Sequence, residues 1–312
     1  MKPVVLGVVI GASIGASVLW ACTVHRATEG YRCATQADCA SDRVCTQGYC
    51  VLGTPPDGAV MIDAAVCPAI CGGQCDFAAG RCTITGMGTG NIVCPPGWNC
   101  VINCGAAGAC GAINCTNAAS CDINCTADNA CLNIQCSTKP CDVTCTGAHA
   151  CGSITCTTAN CSATCSGGGS ACGALSCSSG NCTQNCTGGY GSAACGNLTC
   201  STSGNCTANC MGSAACSNIQ CASGDCTTTC GGGSAACGTL NCGTGACSAT
   251  CNSGSACGNV SCANACKCDV TCDPALNQCP AVMTCPDPNG PTICTDSMMR
   301  CDSSLASQCN QC

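Results

Sequence analysis

The chain has 312 residues, enough for a sizeable core, yet only one Phe, two Trp, three Tyr and seven Met to fill it. Its 51 cysteines exclude an ordinary cytosolic protein, because thiols at this density stay reduced in cytosol and then hold nothing together. Charge is sparse, 8 basic against 15 acidic residues for a net of −7, and the lack of any basic run argues against a nucleic-acid partner.

Residues 1–21 read as an export signal: Lys2 supplies a positive charge ahead of the apolar stretch from Val4 to Trp20. The boundary Leu19-Trp20-Ala21-Cys22 resembles the lipobox of bacterial lipoproteins, with an atypical Trp at its second position. That resemblance implies cleavage before Cys22 and lipidation of it. Leu19 argues against soluble cleavage after Ala21, and a retained membrane helix would have to span with a segment at the short end of the usual length. Lipidation of Cys22 also leaves an even number of cysteines to pair, and Thr23 after it is compatible with passage to the outer membrane in the lipoproteins it resembles.

Residues 22–50 are expected to hold the anchor and a small module, CATQADCASDRVCTQGYC, whose four cysteines would close two disulfides in place of a core. Residues 51–66 contain the turn signal Pro55-Pro56-Asp57-Gly58 and read as a linker. Residues 67–90 carry a second four-cysteine module, CPAICGGQCDFAAGRC, like the first a small cysteine-knot-like unit. The segment CPPGWNC then turns the chain into the main repeat, where Trp98 is placed to cover its open end.

From 91 to 272 one four-cysteine sentence recurs: CxxxC, a polar loop, CxxxxC, a second polar loop. Its first cysteines are Cys100, Cys121, Cys141, Cys161, Cys182, Cys206, Cys226, Cys247 and Cys268, in steps of 20 to 24 residues. A fixed period of this size predicts a solenoid whose coils bury their inner faces only by stacking. Two residues before the closing cysteine of CxxxxC stands an aliphatic residue throughout, from Ile113, Ile134 and Ile154 to Leu240 and Val260. The centre of CxxxC is mixed, running from Ile102 through Gln184 and Thr228 to Val270. The two halves are therefore different faces, and the fold class is all-β: a disulfide-rich parallel β-solenoid of about 20 residues per coil with two short strands in each. Length changes fall in loops, as at residues 187–194.

Cysteines four residues apart in one strand lie roughly 13 Å from each other, beyond bonding reach. Equal positions of neighbouring coils, about 4.8 Å apart, are one alternative. The other is the return within a coil, pairing second with third cysteine: Cys104 with Cys110, Cys125 with Cys131 and Cys145 with Cys151. The within-coil choice is preferred because it leaves every coil alike. Residues 273–312, richer in proline and charge, are expected to cap the stack with a polar end.

Few residues suggest chemistry. His25 and His149 are isolated and build no nucleophile–base pair, so no catalytic residue and no cofactor is expected. Asp122, Asp142, Asp225 and Asp269 are read as dispersed surface charge without a calcium-loop pattern. The repeat lacks CxxC, and metal thiolates need a reducing compartment, so no metal site is expected and thiol or metal sequestration is the least favoured function. The Asn-Cys-Thr tripeptides at Asn114, Asn124 and Asn185 match a glycosylation acceptor that the bacterial-type leader makes irrelevant.

Hydroxyls flank many cysteines: Thr144-Cys145-Thr146, Thr155-Cys156-Thr157, Thr164-Cys165-Ser166 and Thr199-Cys200-Ser201. Together Thr144, Thr146, Thr155, Thr157, Thr164 and Thr199 are expected to form an outward contact face. These tripeptides are similar to the threonine-cysteine-threonine ladder of beetle antifreeze proteins, which implies ice binding, although Met211, Gly231 and Gly243 interrupt the pattern here. The whole plan of lipobox, small modules and cysteine-repeat solenoid resembles the cysteine-rich repeat secreted lipoproteins of myxobacteria-like bacteria. That family implies a place and a shape rather than an activity: export to the cell envelope, at the outer membrane or cell surface. The expected function is a non-enzymatic structural or adhesive lipoprotein, held to the membrane by its lipid and meeting an extracellular glycan or protein. Ice or crystal-surface binding is the alternative.

Overall fold

The computed structural model describes residue 35, residues 38–39, 43–46 and 49–52, and residues 66–285 apart from 87, 137–138, 158–159, 189–192, 202–203 and 273–277, together with 291–293 and 298–301. The signal segment 1–21, Cys22 and most of the expected linker lie outside the described residues. The chain divides into two compact units, 1–65 and 66–312.

In the first unit, Arg43–Thr46 and Tyr49–Leu52 form an antiparallel hairpin that places Cys45 opposite Cys50. Cys50 is bonded to Cys39, and Cys45 is also in a disulfide. The hairpin runs two residues past the expected module boundary at 50, so the linker begins later than its composition suggested.

The second unit is a parallel β-solenoid. Among the described residues, thirteen strands form one long sheet and ten form a shorter one, with the chain alternating between them. The repeat explains why. In CxxxC, period-two alternation sends both cysteines and the central residue to one side, as in the strand Cys141–Cys145, where Cys141, Val143 and Cys145 are buried while Asp142 is exposed. In CxxxxC the alternation is broken once, after the first cysteine. In the coils up to Leu198–Cys200 only the last three residues then keep strand geometry, as in Ile154–Cys156, with Ile154 and Cys156 inward.

Adjacent coils align like with like. Cys141 pairs in register with Cys121 and Cys161, and Ile154 with Ile134 and Leu175. Two internal columns result. The long sheet contributes Ile102, Ile123, Val143 and their successors, the short sheet Ile113, Ile134, Ile154 and theirs, all buried. The mixed CxxxC centre is therefore as interior as the aliphatic series.

Disulfides close both edge turns of the coil. Cys104–Cys110, Cys125–Cys131 and Cys145–Cys151 close the turn from long sheet to short, with Cα separations of 5.7, 6.2 and 6.0 Å. The opposite turn is closed by a fourth cysteine bonded to the next first one, as in Cys115–Cys121, Cys136–Cys141 and Cys156–Cys161. That second set ties each coil to its neighbour. Each bond closes a short loop and contributes about 2 kcal/mol by the loop-entropy argument.

A third column lies under the long-to-short turn. The residue before each third cysteine is a buried alanine, including Ala109, Ala130, Ala150, Ala171, Ala194, Ala215, Ala236 and Ala256. At seven of these eight places the residue before that alanine adopts positive φ: Gly108, Asn129, His149, Ser170, Ala214, Ala235 and Ser255. A left-handed residue turns the chain back sharply, and only a methyl fits beneath the turn. The turn thus explains His149, whose residue type tolerates that conformation better than most.

Stacking reaches past both expected ends of the repeat. Arg81–Thr85 pairs parallel with Asn99–Cys104, aligning Cys82 with Cys100 and Ile84 with Ile102. Residues 82–94 are thus an earlier coil in which Gly86 stands where the second cysteine would be; a side chain there would collide with Ala109 and Cys110. The second four-cysteine module is part of this end. Cys75–Asp76 pairs antiparallel with Arg81–Thr85, with bonds Cys67–Cys75 and Cys71–Cys82 and with Phe77 edge-on to Trp98 at 5.7 Å. At the other end Val282–Thr284 still stacks parallel on Cys257–Ser261, but Met298–Cys301 joins Lys267–Thr271 antiparallel and ends the long sheet's parallel run.

Candidate contact faces

Strand geometry leaves two outward faces. On the long sheet, the second and fourth residues of CxxxC point out, forming two straight rows. In the C-terminal half these are Thr183, Thr207, Thr227 and Ser248 beside Asn185, Asn209, Thr229 and Thr250, each aligned with the same position of the next coil. Neighbours within a row bond to each other: the Asn209 amide donates to Asn185 Oδ1 at 2.7 Å, and the Asn124 amide to Asn103 Oδ1 at 3.3 Å. Nearer the start, one row turns acidic. Asp122 and Asp142 are register partners on adjacent strands rather than dispersed charges. Asp269, in the same row, is largely buried and paired with Lys267 at 2.9 Å.

On the short sheet, the outward residues gather into a shallow depression of about 350 Å³ lined by Asn197, Thr199, Asn218, Gln220, Thr239 and Asn241, with Leu198 at its edge. It spans three coils: Thr199 aligns with Gln220, Gln220 with Asn241, and Asn218 with Thr239. The Asn218 amide donates to Asn197 Oδ1 at 3.2 Å. The depression lies where short-sheet strands lengthen to six residues, Cys216–Cys221 and Cys237–Cys242, from the three of Leu198–Cys200. All its functional groups are neutral amides and hydroxyls, which offer donors and acceptors with no charge to neutralise.

The six threonines expected to share one face do not. Thr144 and Thr164 are register partners on the long sheet. Thr155 and Thr199 lie on the short sheet, and of the six only Thr199 lines the depression. Thr146 and Thr157 are in opposite edge turns, where their hydroxyls donate to Thr126 O at 3.4 Å and Cys136 O at 3.5 Å. The physical reason is simple: the residue before a closing cysteine is still on a strand, the one after it has entered a turn, and the two half-coils belong to different sheets.

The turns carry side-chain ladders that sequence reasoning missed. Asn160 Oδ1 accepts from the Asn181 N–H at 3.1 Å, Asn181 Oδ1 from Asn205 at 3.0 Å, and Asp225 Oδ1 from Ala246 at 3.1 Å. Their signal was the Asn or Asp directly before a first cysteine, at Asn160, Asn181, Asn205 and Asp225. These side chains are spent holding one coil to the next.

Sulfurs of stacked coils also approach one another, as in Cys104, Cys125 and Cys131, within 4.8 Å. Those atoms belong to disulfides, whereas metal ligation requires thiolates. His149, the one histidine among the described residues, is exposed in its left-handed turn. No protein-family model matches the chain, and neither the curated proteins nor the solved structures yield a match.

Proposed function

We propose that this chain is a non-enzymatic adhesive scaffold, exported and lipid-anchored through Cys22 at the outer membrane or cell surface, which contacts an extracellular glycan through the short-sheet depression. The observation that carries the reading is the three-coil array of Thr199, Asn218, Gln220, Thr239 and Asn241. Sugar hydroxyls need partners that both donate and accept, and amides and hydroxyls held on bonded coils do so with little ordering on binding. Dense disulfides suit an extracellular setting, where a contact surface must persist without help from a reducing cell. The test is a glycan and cell-surface binding screen with the oxidised chain. Binding should be lost in Asn218→Ala/Gln220→Ala and kept in Thr183→Ala/Thr207→Ala; equal binding by both variants would refute the site. Fatty-acid labelling of wild type against Cys22→Ala checks the anchor, with equal labelling refuting it.

A second reading rests on a different observation. The long-sheet rows of Thr183, Thr207 and Thr227 beside Asn185, Asn209 and Thr229 repeat at the strand spacing of about 4.8 Å, a regular array of the kind that meets an ordered surface such as ice. Inhibition of ice recrystallisation, abolished by Thr207→Leu/Thr227→Leu, would favour it over the glycan reading.

A further inference from the structure

The interior holds a polar layer that neither contact face uses. Gln184 is the centre of CTQNC and fully buried, and Thr228 is the centre of CTTTC and buried to 1% exposure. Neither amide atom of Gln184 nor the Thr228 hydroxyl has a hydrogen-bond partner. Their own column supplies none: the register neighbours of the two residues are the buried methyls of Ala163, Ala208 and Ala249. The cysteines flanking Gln184 are bonded in Cys177–Cys182 and Cys186–Cys195, those flanking Thr228 in Cys221–Cys226 and Cys230–Cys237, and disulfide sulfur is a poor acceptor. Backbone groups along these strands are committed to the parallel ladder.

Burying a primary amide and a hydroxyl without partners is costly, and it is avoided almost everywhere in folded proteins. The register gives the way out. Gln184 aligns with Ala208 and Ala208 with Thr228, so the two polar groups approach one alanine layer from opposite sides. Two strand spacings, roughly 10 Å, separate their backbones, and a glutamine side chain covers about one of them. Alanine leaves its layer wide where isoleucine or valine fills the corresponding place in earlier coils, at Ile102, Ile123 and Val143.

We infer that the lumen binds one ordered water at the Ala208 layer, bridging the Gln184 amide and the Thr228 hydroxyl. The layer offers what internal water needs in partners: the unbonded Gln184 amide on one side and the unbonded Thr228 hydroxyl on the other. The water joins alternate coils through their centres, and it fixes the register of this stretch because no other pair of layers presents complementary polar groups. It also accounts for the otherwise apolar column accepting Gln and Thr two coils apart with Ala between them.

The test is a high-resolution crystal structure of the full oxidised chain together with oxygen-17 relaxation dispersion on bulk water. Wild type should show density bonded to Gln184 and Thr228 and one long-residence water, both lost in Ala208→Val and in Gln184→Leu. A dry lumen in wild type, with Gln184 bonded only to protein, overturns the inference, as does an unchanged long-residence signal in a folded Gln184→Leu variant. If Ala208→Val fails to fold, the wild-type map and Gln184→Leu still decide.

Discussion

The two sheets of the solenoid face one lumen yet obey different rules. The short sheet supplies an aliphatic residue at every layer from Ile113 to Val260, whereas the long sheet supplies Ile or Val at first, then Ala163, Gln184, Ala208, Thr228 and Ala249 before Val270 restores a branched residue. Each layer holds one residue from each sheet, so the apolar volume falls from Ile102 with Ile113 to Ala249 with Val260. The disulfides do not fall with it: the two edge turns are closed at Cys104–Cys110 and Cys115–Cys121, and again at Cys251–Cys257 and Cys262–Cys268. A coil bonded at both turns needs one good apolar contact rather than two, and the short sheet is where that contact is kept. The difference separates what packing must do here from what covalent closure does.

The comparison breaks most visibly if the short-sheet column is emptied. Ile154→Ala should cost about 2–5 kcal/mol, since a fully buried residue is truncated in a rigid stack that cannot collapse around it. Val143→Ala, the facing position on the long sheet, should cost clearly less, because its own neighbour Ala163 shows that this column accepts a methyl. Native-state hydrogen exchange on the oxidised protein, read at amides of 141–165, compares the two. Equal losses would mean that both columns carry the core alike. Next in size is removal of one staple: Cys145→Ala/Cys151→Ala deletes the closure of a short loop and should cost about 2 kcal/mol, confined to that coil and its neighbours. Exchange in the coils beyond 206 should not change; a global loss would show that stability is not summed coil by coil.

Much of this architecture was legible in the residues. Four cysteines at a fixed period, with an aliphatic residue locked to the fourth, specify coil length, two strands and an inside, since only stacking buries so regular a series. The second-to-third closure is likewise readable from the return of the chain. The Cys115–Cys121 type was not, because attention to the coil as a unit hides bonds that cross from one unit to the next. The earlier coil at Cys82 escaped because Gly86 replaces its second cysteine, which removes the pattern while the backbone path stays. The contact faces were read least well. Flanking threonines look alike in sequence, but Thr144 and Thr146 differ by the end of a strand, and Thr144 and Thr155 by the sheet they join. The depression at Asn218 and Gln220 had no motif at all, since it lies where two of its three short-sheet strands lengthen.

The smaller effects test the long-to-short turn, where neither sheet's rule applies. Ala150→Val should cost about 1–3 kcal/mol although it adds only two methyls, because that column holds alanine in coil after coil and has no room beneath the turn. The opposite sign is expected one residue earlier in two later coils. Ala235 sits at φ 51° and Ala214 at φ 52°, a conformation that an L residue with a Cβ adopts at a cost of about 1–2 kcal/mol. Glycine removes that cost, as Gly108 does at the same place in the coil of Cys104–Cys110. Ala235→Gly should therefore slow exchange of the Cys237 amide by up to about tenfold, after allowance for the greater freedom of glycine in the unfolded chain. Gly108→Ala should speed exchange of the Cys110 amide by a similar factor. If both substitutions destabilise, the turn is held by its disulfide and its buried alanine alone, and the left-handed residue is a consequence of the closure rather than a contributor to it.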